Sequence, residues 1–212
     1  MIWLLLACMT EPTAEPPPTA VPPPTAALPV EDVLERARAD AIESAESAAA
    51  ALTGALKSTL TNAMAQGGPE AAMSACADQA QGAAALALTG QRARAGRTSV
   101  KLRSPANTAP DWVVPWLETY GDGVLADAEP ETTVSEAEGQ VTARIIRPIE
   151  VQPPCLACHG DAETLSPAVS AVLADRYPDD AATGYAAGDL RGVVWAEASV
   201  RTAQDVGGAQ AH

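Results

Sequence analysis

Residues 155–160 constrain this chain more than any other stretch. They read Cys-Leu-Ala-Cys-His-Gly, two cysteines separated by two residues and followed at once by a histidine. This spacing is the attachment signature of a c-type haem, in which each thiol adds to one vinyl group of the porphyrin and the adjacent imidazole reaches the iron. The motif therefore predicts one covalent haem c per chain, bound through Cys155 and Cys158, with His159 as the proximal iron ligand.

Three other interpretations of the motif explain fewer of its residues: a redox-active CxxC, half of a zinc site, or a surface disulfide. A four-cysteine zinc site requires a second CxxC, whereas the remaining cysteines, Cys8 and Cys76, lie far apart in sequence. A thioredoxin-like motif should begin a helix after a strand, but two prolines at 153–154 precede this one. We therefore favour haem, with a haem-free structural lipoprotein carrying a CxxC disulfide as an alternative.

The acidic composition limits the classes of partner. The chain has 27 acidic and 13 basic residues, a net charge of −14, and no phenylalanine. Phosphate binding requires a basic face, so this charge argues against nucleic acid as a partner. The core must be built from Leu, Val, Ile and Ala, which a large flat cofactor would supplement.

The N-terminal residues predict export and membrane attachment. Covalent haem attachment takes place on the outer side of the cytoplasmic membrane, so a targeting signal is expected. Residues 1–8 end in Leu-Leu-Ala-Cys, which resembles a lipobox and predicts lipid modification of Cys8. Residues 9–30 contain eight prolines and predict an extended tether of polyproline II. We expect a periplasmic or cell-envelope protein, anchored to the membrane at Cys8.

Residues 31–200 predict one α+β domain, followed by a flexible tail at 201–212. Apolar residues at three- and four-residue spacing predict a helix over 31–66 that Gly67 and Gly68 end, and a second helix over 69–88. The later segments predict an acidic loop and hairpin at 118–138, a short helix at 167–174, and strands at 97–103, 141–149 and 192–200. Helices followed by antiparallel strands are typical of the α+β class.

A basic segment interrupts this acidic chain. No acidic residue lies between Asp78 and Asp111, yet five of the thirteen basic side chains do. As a strand, residues 97–103 would place Arg97, Lys101 and Arg103 on one face. Such a face could bind the two haem propionates. A solvated strand face is the other interpretation of the same charges.

The second axial ligand of the iron is less directly encoded, because the only other histidine is His212 at the chain end. The remaining donors are water or an exogenous molecule and the side chains of Cys76, Met73, Met64 and Lys101. Met73 and Cys76 lie three residues apart on a predicted helix, so both could face one pocket. Considered alone, Cys76 is a small apolar helix residue, and burial in the core explains it more simply.

Several sequence blocks, in order, resemble a family of extracytoplasmic c-type haem domains with a PAS-like fold, the Tll-type haem-binding domains. The resemblance covers most of residues 31–200. Its specific blocks are 96–107 and 155–160, and its weaker blocks are 75–76, 147–149, 177–180 and 188–192. It implies a PAS-like antiparallel sheet with long N-terminal helices. It also implies that Cys76 ligates the iron opposite His159, which would lower the iron potential and make ligation sensitive to redox state.

These features together predict a monohaem c-type cytochrome-like protein at the cell envelope, not an enzyme. Electron transfer and redox or gas sensing are both consistent with the family, and we expect a separate, unidentified redox or signalling partner. The alternative function is that of an enzyme, a haem peroxidase-like protein. It would need an open distal side with an acid/base group, and the sequence has no spare histidine for that role.

Overall fold

The computed structural model describes residues 29–202. The predicted lipid site at Cys8, nearly all of the tether, and His212 lie outside these residues. The α-helices are α1 Val30–Asp78, α2 Ala80–Ala87, α3 Val114–Tyr120, α4 Leu156–His159 and α5 Pro167–Arg176. The strands are β1 Ala93–Thr98, β2 Glu131–Ala137, β3 Gln140–Glu150 and β4 Leu190–Arg201. The predicted α+β class is confirmed.

The four strands form one antiparallel sheet in the order β1-β4-β3-β2. The two longest strands, β3 and β4, are therefore central, and β1 and β2 are the edges. β2 and β3 form a hairpin, joined at Glu138 and Gly139, which both have a positive φ. Two such residues form the tight turn whose twist matches paired strands. The hairpin predicted within 118–138 was wrong in extent, because its second strand is β3.

The first part of α1 packs on one face of the sheet through the alanines that the sequence pattern placed together. Ala41, Ala45 and Ala48 are fully buried, and Leu52 packs with Ile145 in the same apolar cluster. Side chains this small let the helix approach the sheet closely. Further along the same helix, Met64 is 38% exposed.

The predicted interruption of the N-terminal helices at Gly67 and Gly68 is confirmed. Both residues have non-helical backbone angles, and Gly68 has a φ of 67°, a conformation that glycine adopts at little cost. Pro69 then begins the next helical segment, where a missing N–H does no harm. This second segment ends at Asp78, and α2 follows after Gln79, so the helix predicted over 69–88 is divided in two.

The other face of the sheet is covered near its centre by the segment that leads into α3. Val113 and Trp116 pack against Ile146 and Val193. The ring of Trp112 meets that of Trp195 edge-on, with centroids 6.0 Å apart. Within residues 29–202, no helix is long and apolar enough to cross a lipid bilayer.

The predicted strand at 97–103 was wrong in position. β1 ends at Thr98, the last residue that pairs with β4. The hydroxyl of Ser99 donates to the carbonyl of Lys101 at 2.7 Å, which turns the chain away from the sheet. Arg97, Lys101 and Arg103 consequently do not share one strand face, and each meets different neighbours.

Candidate functional site

Helix α4 and the turn before it present the two cysteines of the motif. The helix follows a 3-10 turn at Pro153–Cys155, in which the prolines occupy the first positions, where they are tolerated. Cys155 and Cys158 are three residues apart, a spacing that places two side chains on the same face of a helical turn. Both are partly exposed and both are free thiols. The arrangement therefore offers two accessible thiols to a ligand on one side of the turn.

The imidazole of His159 is held in a single orientation. Its Nδ1 atom lies 2.7 Å from the carbonyl oxygen of Ala182. Because a carbonyl can only accept, Nδ1 carries the hydrogen and donates, and Nε2 keeps its lone pair. Tyr185 packs edge-on against the ring with centroids 6.2 Å apart, and its backbone N–H donates to the carbonyl of His159 at 3.0 Å. A neutral Nε2 is thus available as a metal ligand.

Burial and two neighbouring cations keep this imidazole neutral. Burial, followed by the charges of Arg191 and Arg103, lowers the pKa of His159 from 6.5 to about 3. The ring is therefore uncharged at neutral pH. Only the uncharged form can give its lone pair to a metal.

Arg103 joins three separate segments beside the motif. Its Nε and Nη2 atoms bind the two oxygens of Asp180 at 3.1 and 3.2 Å, and Nη2 also donates to the carbonyls of Cys158 and Ala182 at 2.6 and 3.1 Å. Nη1 points to the sulfur of Met73 at 3.7 Å. The side chains of Arg103 and Asp180 are only 10% and 8% exposed. Every observed partner of Arg103 is a protein group, and its binding to a propionate stays a prediction.

Cys76 approaches the motif from the end of α1. Burial raises the pKa of its thiol, while the charges of Arg97 and Arg103 oppose that rise. The same two cations lower the pKa of His159, and Cys76 is close enough to Cys158 to raise the pKa of that thiol. The charges of Arg97 and Arg103 therefore act on both Cys76 and the motif.

Met73, the alternative ligand, has a packing role. It is 2% exposed and lies in an apolar cluster with Val169 and Leu173 of α5, against which Cys158 also packs. Its sulfur faces Arg103. These contacts attach the last turns of α1 to both α4 and α5, and they account for the buried position of Met73 without iron ligation.

Lys101 lies apart from Arg103. Its Nζ atom is 4.8 Å from the ring centroid of Tyr185. The residue borders a cavity of about 280 Å³ together with Asp122, Asp127 and Asp189. Carboxylates around this ammonium would oppose a propionate electrostatically. The charge of Arg97 acts on both Cys76 and His159, and the binding of Arg97 or Lys101 to a propionate stays a prediction.

Sequence reasoning missed four residues of this site: Asp180, Ala182, Tyr185 and Arg191. Arg191 donates to the hydroxyl of Ser99 at 2.8 Å, and its guanidinium lies 5.3 Å from the Tyr185 ring centroid. Asp180 and Arg191 lie in the weaker resemblance blocks 177–180 and 188–192, which by themselves indicate no role for these side chains. Ala182 acts through its backbone, which leaves no signal in the side-chain sequence.

The residues present fit a haem rather than a bare ion in their chemistry: two accessible thiols on one turn, a neutral imidazole, and nearby cations. In the described part of the chain, no three His, Cys, Asp or Glu side chains gather closely enough to hold a metal ion by themselves.

Comparison with known proteins places this fold and site in a family. The family described as Tll0287-like (Tll0287) matches residues 34–198. The chain belongs to the Tll0287-like family. The predicted family is therefore confirmed, and so is the predicted sheet with a long N-terminal helix.

A solved structure has the same fold. The crystal structure of the cyanobacterial heme-protein Tll0287 superposes with a TM-score of 0.50 at 22% identity, and the match covers 72% of this chain and 92% of that one. At this identity the likeness establishes the fold alone. No curated protein matches the chain.

Proposed function

We propose that this chain is a monohaem c-type protein that transfers electrons or senses redox state at the cell envelope, and that it is not an enzyme. One observation carries the proposal. Two free thiols stand where the 3-10 turn Pro153–Cys155 leads into α4, next to a histidine whose Nδ1 lies 2.7 Å from the carbonyl oxygen of Ala182. This arrangement supplies both groups for covalent attachment and one nitrogen for the iron.

The proposal assigns a role to each residue. Cys155 and Cys158 would form the thioether bonds, and Nε2 of His159 would ligate the iron. Cys76 would be the second axial ligand, which its electrostatic proximity to Cys158 supports. The haem would supply one-electron chemistry at iron. A relative with the same fold is described as a heme-protein, which supports haem binding by this chain as well.

The choice of Cys76 favours a redox-linked role. A thiolate ligand donates electron density and lowers the iron potential, so the bond to the reduced iron should be weaker. Weakening on reduction would open a coordination position or release the end of α1. The same chemistry suits a low-potential electron carrier or a sensor, and either one would act on a separate partner protein.

The test is the visible spectrum of the full chain, produced together with a c-type haem assembly system and recorded before and after denaturation. We expect colour that stays on the denatured chain and a low-spin resting spectrum with thiolate features. The matched control is the double variant Cys155→Ala, Cys158→Ala, which should lose all covalent haem. A colourless wild-type chain would overturn the proposal and leave the CxxC as a disulfide.

The location at the envelope has its own test. We expect the full chain in the membrane fraction of cells that process lipoproteins, and Cys8→Ser in the soluble fraction of the periplasm. Equal distribution of the two proteins would contradict the lipid anchor. It would leave the haem proposal untouched, because that proposal assigns no role to Cys8.

A further inference from the structure

The carbonyl oxygen of Ala182 accepts hydrogen bonds from two functional side chains. One donor is Nδ1 of His159 at 2.7 Å, and the other is Nη2 of Arg103 at 3.1 Å. Ala182 itself is fully buried, so water does not compete for this oxygen. The proximal histidine and a guanidinium cation therefore share one acceptor.

Asp180 fixes the backbone of Ala182 and balances the charge of Arg103. Its Oδ1 accepts from Arg103 Nε at 3.1 Å and from the backbone N–H of Ala182 at 2.9 Å. Its Oδ2 accepts from Arg103 Nη2 at 3.2 Å. Both backbone polar groups of Ala182 are thus fixed, and the guanidinium charge is balanced by the carboxylate that fixes them.

A cation that donates to a carbonyl draws electron density from its oxygen. The oxygen then attracts the Nδ1 hydrogen less strongly, and the imidazole becomes a poorer electron donor at Nε2. The positive charge also favours the reduced iron directly, because it repels the more positive oxidised iron. Asp180 opposes both effects, because it neutralises Arg103. The balance between the two side chains consequently acts on the ligand atom of His159.

We propose that Arg103 and Asp180 are positioning residues that tune the reduction potential of the bound haem through the Ala182 carbonyl. The inference rests on the proposed function, since it requires haem on His159. The near burial of both charges supports it. Burying an ion pair costs desolvation free energy, and an apolar pair of similar volume could join the same segments without that cost.

The test is potentiometric titration of holoproteins that carry a single neutral substitution. Asp180→Asn keeps an acceptor for Ala182 but leaves the Arg103 charge unbalanced, so the potential should rise. Arg103→Gln removes the cation and leaves Asp180 unbalanced, so the potential should fall. We expect each variant to change the ratio of reduced to oxidised protein at a fixed potential about tenfold, which corresponds to about 59 mV. The double variant should return to within about threefold of wild type.

The matched control is Glu136→Gln, which removes the same single charge from an exposed ion pair with Arg38. It should change the ratio by less than about threefold, because exposed charges are screened. Opposite shifts in the two single variants support the inference. Shifts in the same direction, or none beyond the control, overturn it, since a merely structural pair would loosen the site in the same way from either side.

Two further measurements keep the test decisive. Circular dichroism and the haem content after denaturation show that each variant is folded and loaded. If Arg103→Gln does not fold, Arg103→Lys replaces it: it keeps the charge, and its potential should stay closer to wild type than that of Asp180→Asn. A wild-type chain without covalent haem overturns the proposed function, and this inference with it. A loaded chain that is insensitive to Asp180→Asn overturns this inference alone.

Discussion

The two predicted iron ligands lie in contrasting surroundings. His159 is fixed by a 2.7 Å hydrogen bond, by backbone bonds between its segment and residues 184–185, and by the Arg103 pair beside it. Cys76 stands on the last turns of α1, after the break at Gly68. Within residues 29–202, none of the side-chain hydrogen bonds involves its sulfur.

This difference indicates which ligand can change. Haem binding would require no further free energy to orient or deprotonate His159, because the ring is already oriented and neutral. Cys76 makes no side-chain hydrogen bond among the described residues, and its helix is held by the packing of Met73 and by the ion pair of Arg176 with Asp78. Burial disfavours its thiolate. A ligand that is not held by hydrogen bonds can leave when the iron is reduced. On the proposed assignment, His159 would be the permanent ligand and Cys76 the conditional one.

The largest expected effect comes from removing the conditional ligand. Cys76→Ala should keep the covalent haem but lose the low-spin resting state, because His159 alone remains on the iron. The oxidised variant should bind added cyanide at least about tenfold more tightly than wild type, in line with effects of changes around metal ligands. Spectral titration with cyanide measures this.

Met73→Leu is the matched control, since Met73 is the other sulfur donor on this helix. Leucine conserves the buried volume, so the variant should stay folded and low-spin, with a loss of less than about 1.5 kcal/mol in the free energy of unfolding. If Met73→Leu opens the iron and Cys76→Ala does not, the ligand assignment is reversed.

The next largest effect should come from weakening the packing of Met73, which holds the helix that carries Cys76. Met73→Ala removes a side chain that is 2% exposed and leaves a cavity against Val169 and Leu173. We expect a loss of about 2–5 kcal/mol in the free energy of unfolding, measured by urea denaturation. Met64→Ala, at a site 38% exposed on the same helix, should change it by less than about 0.5 kcal/mol. Equal losses would show that α1 is not held through Met73.

Much of the fold and of the candidate site could be predicted from the sequence, and the remainder depended on tertiary contacts. The motif at 155–160 and the glycine pair at 67–68 act through residues that are adjacent in sequence. The turn that carries the two cysteines and the break in the helix could therefore be recognised. The α+β class followed from the order of helical and strand patterns. Periodicity places apolar residues on one face of α1, but it cannot show where the sheet beneath the helix ends: Leu52 is buried and Met64 is 38% exposed.

The surroundings of the ligands could not be predicted in the same way. The alternation at 97–103 suggested a strand face, but Ser99 closes a turn there through its own hydroxyl. Arg103 was singled out for a cofactor group, whereas its partner Asp180 is 77 residues away. The acceptor for His159 is a backbone atom of an alanine. Long-range pairing and backbone acceptors leave no periodic pattern in a single sequence.

The break before Cys76 offers a smaller and more local test. Gly68 has a φ of 67° and a ψ of −157°, a region that residues with a Cβ rarely occupy. Gly68→Ala should cost about 1–3 kcal/mol in the free energy of unfolding. It should also change the ligation of the iron by Cys76, which the visible spectrum reports, and it should leave the ligation by His159 unchanged.

Gly54→Ala is the control for Gly68→Ala. Gly54 lies inside regular helix with no atom within 4 Å of the position of an added Cβ, so alanine should stabilise the protein by about 1 kcal/mol. A stabilising Gly68→Ala would show that the break is not required. A changed spectrum in Gly54→Ala would show that the ligand responds to helix stability in general.

The smallest expected effect comes from the sheet, at a residue in contact with neither ligand. Glu197 on β4 is bound by Arg94 at 2.5 Å and by Arg144 at 2.7 Å. Burial alone would raise the pKa of this carboxyl, but hydrogen bonds from the two arginines outweigh it and hold the pKa below the usual 4.5. A lowered pKa means that the ionised form stabilises the folded state.

Glu197→Gln should therefore lower the free energy of unfolding by at most about 1 kcal/mol at neutral pH, because the arginines are largely exposed. The stabilisation by Glu197 is complete above its unfolded pKa, near 4.5, and is lost as the pH falls through the lower folded value. The difference between variant and wild type should accordingly shrink as the pH falls below 4.5 through the lower folded value. Urea denaturation over a series of pH values from neutral downward measures it. The visible spectrum of Glu197→Gln at neutral pH should equal that of wild type. A spectral change there would mean that loss of stability anywhere in the domain releases Cys76, and the contrast between the two ligands would then reflect global stability instead of local contacts.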